Sequence, residues 1–252
     1  MKPIKILAPA FILLCITIAS AAIVKAQQKS NPGFAVVELF TSEGCSSCPP
    51  ADQLVAKVEK ENEQNHIYIL SYHVDYWDRL GWKDRFSDAD YTKRQNRYAN
   101  WLKLESIYTP QIVVNGRTEF VGSNENALRK AISAGWQQTA VDNLVLKSSI
   151  VNNQLSISYQ VYGPIKNSDL AVALVQKSAQ TKVGGGENSG RTLSHVQIVR
   201  KLVVEPVNAN SGTISIVLPP DYNENKWELI GFVQNETNGA IQSAAESVLT
   251  SY

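Results

Sequence analysis

Residues 36–52 read VVELFTSEGCSSCPPAD and contain the two cysteines that decide how the chain is interpreted. An apolar run over residues 35–40 precedes the pair and predicts a buried strand. An amphipathic pattern over residues 51–64 follows and predicts a helix, whose first turn accommodates two prolines because missing N–H groups cost little there. Cys45 and Cys48 therefore form a C-x-x-C pair where a strand passes into a helix.

This placement predicts a redox site of the thioredoxin-like type. Two intervening residues let the sulfurs come within bonding distance, and the free N–H groups and dipole of the helix N-terminus favour a Cys45 thiolate. We expect Cys45 to be the more exposed sulfur and the nucleophile, and Cys48 to resolve the mixed disulfide. An inert disulfide and a metal-binding pair are the alternatives that the same spacing allows.

The rest of the first half alternates between strand-like and helix-like patterns. A strand is predicted over residues 67–74 and a helix from Ser87. Strands flank the hairpin signal Asn-Gly at residues 115–116, and Ser123 is expected to cap a last helix. This order predicts an α/β thioredoxin-like domain over residues 33–138.

Residues 140–252 carry a different pattern, in which short alternating runs are separated by turn residues. Seven strands at this spacing are typical of an antiparallel sandwich. They are predicted at residues 144–150, 155–161, 170–176, 196–204, 213–218, 227–233 and 240–248. The predicted fold is thus an α/β thioredoxin-like domain followed by an all-β antiparallel sandwich-like domain.

Residues 1–26 have the features of a signal peptide, with Lys2 and Lys5 ahead of an apolar core over residues 6–22. An uncleaved membrane anchor is the alternative, because the apolar run approaches spanning length. In either case the body of the protein is expected in an oxidising space, where a disulfide persists. A periplasmic or secreted location is therefore predicted.

Thr109-Pro110 stands just before a predicted strand. Thioredoxin-like proteins carry a cis proline at this place, facing the cysteine pair, and we expect one here. The Thr109 backbone would then be free to pair with an extended substrate segment. An ordinary trans proline at the first residue of a strand is the alternative.

The stretch YHVDYWD over residues 72–78 combines aromatic and acidic residues at the end of the second predicted strand. Alternation sends His73 and Asp75 to one face. From there His73 is expected to move protons near Cys45, and Asp75 to orient His73. Asp75 and Trp77 are also predicted to contact substrate. The alternative is that the aromatics are core residues and the acids are turn residues.

The segment GENSGRTLSH over residues 186–195 mixes glycine with polar and cationic residues. We expect it to border the C-x-x-C cleft and to bring Arg191 and His195 to Cys45 or its substrate. A cation there would favour the Cys45 thiolate. The alternative is a link between two strands in which His195 is a hydrogen-bonded structural residue.

Four segments together resemble an exported bacterial family known as domain of unknown function 1223, which is assigned to the thioredoxin-like superfamily. They are VVELFTSEGCSSCPPAD, HVDYWDRLGWKD, YTPQIVVNG and GENSGRTLSHVQIVR, at residues 36–52, 73–84, 108–116 and 186–200. The resemblance implies the fold and C-x-x-C chemistry, and it implies no substrate. Unlike the wider thioredoxin group, this chain has Gly44 before Cys45 and a long insertion over residues 76–106.

The leading functional hypothesis is thiol–disulfide exchange with protein thiols or disulfides of the exported compartment. No organic cofactor is needed, because the disulfide itself carries two electrons. A soft-metal protein that binds Cu(I) through Cys45, Cys48 and His73 is one alternative. A non-catalytic binding protein with a structural disulfide is the other. The net charge of +1 argues against a nucleic-acid surface.

Overall fold

The structure of the protein is a computed structural model that describes residues 33–62, 65–138, 140 and 143–249. The signal segment predicted over residues 1–26 lies outside these residues. Within the described ranges, no helix is both long enough and apolar enough to cross a membrane.

The elements of the first half follow the predicted order. They are β1 (Ala35–Thr41), α1 (Pro49–Glu61), β2 (Ile67–His73), a 3-10 helix (Asp75–Leu80), α2 (Ala89–Leu102), β3 (Gln111–Val114), β4 (Thr118–Val121) and α3 (Glu125–Trp136). The side chain of Asp88 caps α2 and that of Asn124 caps α3. Both caps lie one residue beyond the serines that the sequence suggested, because carboxylate and amide oxygens accept the free N–H groups equally well.

The second half consists of strands joined by turns. They are β5 (Asn143–Val151), β6 (Gln154–Tyr162), β7 (Ser168–Lys182), β8 (Thr192–Pro206), β9 (Ser211–Val217), β10 (Trp227–Asn235) and β11 (Ile241–Ser247), with a short 3-10 helix (Glu224–Lys226) before β10. Each of the seven predicted strands overlaps one of these. β7 and β8 extend well beyond their predicted bounds, to 15 residues each.

The predicted combination of a thioredoxin-like domain and a separate sandwich is wrong. Eight strands from both halves of the chain form one mixed sheet in the order β11-β10-β7-β8-β2-β1-β3-β4. The join is a parallel contact between β2 and β8, where Ser71 lies opposite Ile198. The other three strands form a smaller antiparallel sheet in the order β5-β6-β9. The protein is therefore mostly β, and its two halves share one sheet.

The burial of β7 explains this architecture. Residues 168–175 of β7 are all buried, so that both faces of the strand are covered. On one face, Leu170, Val172 and Leu174 pack against the smaller sheet. On the other face, alternate residues of β7 join the core that α2 covers. Each strand of a two-layer sandwich has one buried face, whereas β7 is packed against a layer on each of its two faces.

The β2–β8 join positions the candidate site. α1 and α3 cover the β1–β3 end of the large sheet. The last residue of β2 is His73, and β8 begins at Thr192 and includes His195. Because the two strands lie side by side, the ring of His195 packs edge-to-face on that of His73, with centroids 4.8 Å apart.

Candidate functional site

Cys45 and Cys48 form a disulfide at the start of α1. Cys48 is the N-terminal capping residue of this helix, and Pro49 and Pro50 occupy its first turn as expected. Both cysteines are fully buried, while Ser46 and Ser47 between them are exposed. The expectation that Cys45 is the more exposed sulfur is therefore wrong, because another part of the chain covers it.

The cover is the segment of residues 184–191, here called the covering segment. The Nδ2 of Asn188 donates hydrogen bonds to the carbonyl oxygens of Glu43 and Cys45, both at 2.9 Å. The Oε2 of Glu187 accepts a hydrogen bond from the Ser46 N–H at 3.0 Å. The Nη1 of Arg191 donates to Asn188 Oδ1 at 2.6 Å. The predicted approach of this segment to the cysteine pair is confirmed, and Arg191 acts within it by orienting Asn188.

Glycines let the covering segment lie close to the site. A Cβ added at Gly185 would lie 2.3 Å from the carbonyl oxygen of Gly81, and one at Gly186 would lie 3.3 Å from Trp82 Cβ. Gly186 also has a φ of 68°, which favours glycine. The Nε1 of Trp82 in turn donates to Glu43 Oε2 at 2.7 Å. The covering segment, Trp82 and the residues before Cys45 are thus in continuous contact.

Trp77, Thr109 and Pro110 lie on another side of the pair. A Cβ at Gly44 would lie 3.3 Å from Trp77 Cβ, so Trp77 lies against the residue before Cys45. The Nε1 of Trp77 donates to Thr109 Oγ1 at 2.8 Å. The Thr109–Pro110 bond is cis, as expected. A Cβ at Gly122 would lie 3.0 Å from Pro110 Cβ and 3.1 Å from the Cβ of Ala51 in α1, which places the proline beside the first turn of that helix.

A buried ionisable cluster accompanies the disulfide. Its members are at most 5 % exposed and are Glu43, Asp52, His73, Asp84 and His195. The Nε2 of His195 lies 3.5 Å from Glu43 Oε1, and its Nδ1 lies 3.9 Å from Asp52 Oδ1. Burial lowers the pKa of His195, but the carboxylates of Asp52 and Glu43 outweigh this effect and raise it to about 9. At this pKa His195 carries a positive charge at neutral pH.

His73 belongs to the same cluster, but its partner is Asp84. The Nδ1 of His73 lies 2.6 Å from Asp84 Oδ2, which also accepts the Glu43 N–H at 2.9 Å. Burial raises the pKa of Asp84, yet the charge and hydrogen bond of His73, with the backbone N–H groups, bring it below its ordinary value. The predicted partner, Asp75, instead accepts a hydrogen bond from Thr92 Oγ1 in α2 at 2.5 Å. Alternation failed here because a 3-10 helix begins at Asp75.

Sequence reasoning missed Glu43, Asp52, Asp84, Asn188 and Glu187, although all five lie within the segments quoted for the family resemblance. One signal was available for Asp52. It follows Cys48 by four residues in a predicted helix, a spacing that puts two side chains on one helical face. The other residues have no comparable signal, since their contacts join segments that are far apart in the sequence.

The described residues do not include a group of three or more cysteine, histidine or acidic side chains arranged to hold a metal ion. The Cu(I) alternative therefore has no geometric support in this part of the chain. The arrangement brings together a covered disulfide, the charged imidazole of His195 and the two buried carboxylates paired with it, those of Glu43 and Asp52.

Comparisons with known proteins add the family. The chain is 27 % identical to protein AGR_C_4864 from Agrobacterium tumefaciens, a crystal structure matched with a TM-score of 0.65 over 87 % of this chain and 95 % of that one. It is 16 % identical to HBP35 of Porphyromonas gingivalis, with a TM-score of 0.62 over 87 % of this chain and 76 % of that one, a likeness that shows the fold alone. A comparison with curated protein sequences finds no match. The profile of the family described as protein of unknown function, DUF1223, matches residues 36–234, and the chain therefore belongs to the DUF1223 family.

Proposed function

We propose that this protein exchanges disulfides with protein thiols or disulfides through Cys45 and Cys48. The observation that carries the proposal is the buried ionisable cluster next to the pair. Glu43 precedes Cys45 by two residues, Asp52 follows Cys48 by four, and both form ion pairs with His195. A disulfide that only held two segments together would not need ionisable side chains buried beside it.

The energetic argument concerns desolvation. Burying a charged side chain costs several kcal/mol even when it is paired, and a cluster of such groups beside a reactive pair marks a candidate functional site. Two-electron reduction of a disulfide takes up two protons, and the cluster provides groups that exchange protons near the sulfurs. The positive charge of His195 also favours a thiolate over a thiol.

Substrate contact is proposed for the surface formed by the half-buried Trp77 and Thr109, with buried Pro110 beside them. Trp77 lies against Gly44, and its indole fixes the Thr109 side chain. An extended partner segment that lay along this surface would bring its cysteine towards Cys45. Attack requires the covering segment to move, because Cys45 is fully buried beneath it. We propose that these reactions take place in the periplasm or outside the cell, where the predicted signal peptide would deliver the protein.

Trapping experiments with single-cysteine variants test the proposal. Cys48→Ser leaves Cys45 able to attack but removes the resolving sulfur, so mixed disulfides with partners should accumulate and disappear on reduction. Cys45→Ser should trap few partners, and the double variant Cys45→Ser/Cys48→Ser should trap none. Two results together would refute the proposal and identify a structural disulfide. The wild-type pair would be reduced only at potentials below about −300 mV, and the two single variants would trap partners equally.

A further inference from the structure

Asp52 has a position that the proposed function does not yet explain. Its backbone N–H donates to the Cys48 carbonyl at 3.2 Å, and the spacing of four residues along α1 places its side chain on the Cys48 face. The Oδ2 of Asp52 accepts a hydrogen bond from Thr41 Oγ1 at 3.3 Å. The other oxygen, Oδ1, faces His195 Nδ1 at 3.9 Å. A carboxylate is thus held on the resolving side of the disulfide.

Asp52 also lines a cleft that leads to the surface. The cleft has a volume of about 220 Å³ and lies between the first turn of α1 and the start of β8. Its lining includes Asp52 together with the exposed residues Gln53, Arg191 and Ser194. Water in this cleft can reach the carboxylate beside Arg191, at the end of the covering segment. Among the carboxylates of the buried ionisable cluster, Asp52 alone lines this cleft.

Charged and ionisable groups surround the Asp52 carboxylate on several sides. His195 faces it from β8, and Arg191 faces it across the cleft. Glu43, from the segment between β1 and α1, competes for the same imidazole. Behind His195 lies the pair formed by His73 and Asp84. Loss of the Cys48 thiol proton to water would add a negative charge to this enclosed group, whereas transfer of the proton to a neighbouring carboxylate leaves the total charge of the group unchanged while Cys48 attacks.

We propose that Asp52 is the proton acceptor and donor for Cys48, and that the cleft beside Arg191 is its route to solvent. His195 and Thr41 are positioning residues that hold the carboxylate. This inference rests on the proposed function, because it assigns a proton path to the same disulfide.

The step balances as follows for reduction of a substrate disulfide, written RS–SR. The Cys45 thiolate attacks one sulfur, a Cys45–SR bond forms, and RS⁻ leaves and takes a proton. Cys48 then gives its proton to Asp52, and its thiolate attacks the Cys45 sulfur, so that the Cys45–Cys48 bond forms and the second RS⁻ leaves. Two electrons pass from the protein dithiol to the substrate, and Asp52 returns its proton to the leaving thiolate or to water. Substrate oxidation follows the same path in reverse.

The test follows the resolving step directly, with glutathione disulfide as the probe. Reduced full-length protein is mixed with glutathione disulfide, samples are quenched in acid between pH 5 and 9, and mass spectrometry counts the mixed disulfide and the internal disulfide. Asp52→Asn should slow conversion of the mixed disulfide by about a hundredfold near pH 7, as expected for loss of a general base. Asp52→Glu should recover a large part of the rate. Asp169→Asn is the matched control, because Asp169 is a buried carboxylate paired with Arg97 elsewhere in the sheet.

His195→Gln provides a second variant in case Asp52→Asn does not fold. It should change the pH profile of the resolving rate, because it removes the imidazole that faces Asp52 Oδ1 at 3.9 Å. The inference is overturned if Asp52→Asn resolves the mixed disulfide as fast as wild type, or is slowed no more than Asp169→Asn. Either result leaves the exchange function intact. An unshifted pH profile in His195→Gln overturns it as well. Wild-type protein that forms no mixed disulfide overturns both proposals together.

Discussion

Removal of the Asn188 side chain should expose the disulfide. In Asn188→Ala, the carbonyl oxygens of Glu43 and Cys45 lose their two hydrogen bonds, both 2.9 Å long, to the covering segment. Each such bond contributes about 1 kcal/mol net, so the closed position of the segment loses about 2 kcal/mol. Since 1.36 kcal/mol is a factor of ten, we expect the disulfide of this variant to be reduced about 30-fold faster by a small thiol.

The assay measures the rate at which dithiothreitol reduces the Cys45–Cys48 bond, by timed alkylation and mass spectrometry. Asn210→Ala is the matched control, because the Asn210 amide also donates to two backbone carbonyls, those of Val161 at 2.9 Å and Gly163 at 3.3 Å. Both variants should lose a similar free energy of unfolding, whereas only Asn188→Ala should be reduced faster. Equal reduction rates in the two variants would show that the covering segment does not control access to the sulfurs.

Three further predictions concern the ionisable groups and the substrate surface. The pKa of His195 is raised from 6.5 to about 9, which should add roughly 3 kcal/mol to the free energy of unfolding. This contribution is complete below about pH 6.5 and is lost as pH rises through 9. Denaturant unfolding of the oxidised protein should show this loss, and His195→Gln should lack it. Arg94→Ala should lower the free energy of unfolding by about 3–5 kcal/mol, because buried Glu38, whose Oε2 lies 2.5 Å from Arg94 Nε, loses its counter-charge. Adding Glu38→Gln should restore much of this free energy. A double variant as unstable as Arg94→Ala would contradict an electrostatic cause. Trp77→Phe in a Cys48→Ser background should reduce the yield of trapped partners several-fold. It should change the free energy of unfolding by only about 1 kcal/mol, because it removes one hydrogen bond, to Thr109. An unchanged yield in quantitative mass spectrometry would show that Trp77 is not part of the substrate surface.

The Arg94–Glu38 pair also shows where strand alternation helped and where it did not. Glu38 lies in β1, the strand that precedes the cysteines, and alternation does not tell which of the two faces of that strand is the one next to the cysteines. In the structure its carboxylate points to the other face of the sheet, where Arg94 and the hydroxyl of Tyr98 hold it. Alternation separates the residues of β1 into two faces, but only the packing of α2 shows which face carries Glu38.

Local patterns in the sequence determined the secondary structure well. The period of apolar residues gave the helices and most strands to within a few residues, although β7 and β8 are longer than predicted, and the Asn-Gly pair gave the β3–β4 hairpin. These features depend on interactions between residues close in sequence, which a pattern records directly. The same holds for the disulfide, since two residues between cysteines at a helix start bring the sulfurs together without help from the rest of the chain.

The tertiary structure alone decided how the halves combine and what surrounds the disulfide. Nothing in the pattern of β8 states that its neighbour is β2, because a strand exposes the same backbone hydrogen-bonding groups to any partner. Pairing across more than a hundred residues is chosen by which apolar faces become covered, and residues 168–175 of β7 are covered on both faces only within the large sheet. That one pairing puts His195 on His73, between Glu43 and Asp52. The sequence therefore specified the cysteines, and the burial of distant strands specified the charges beside them.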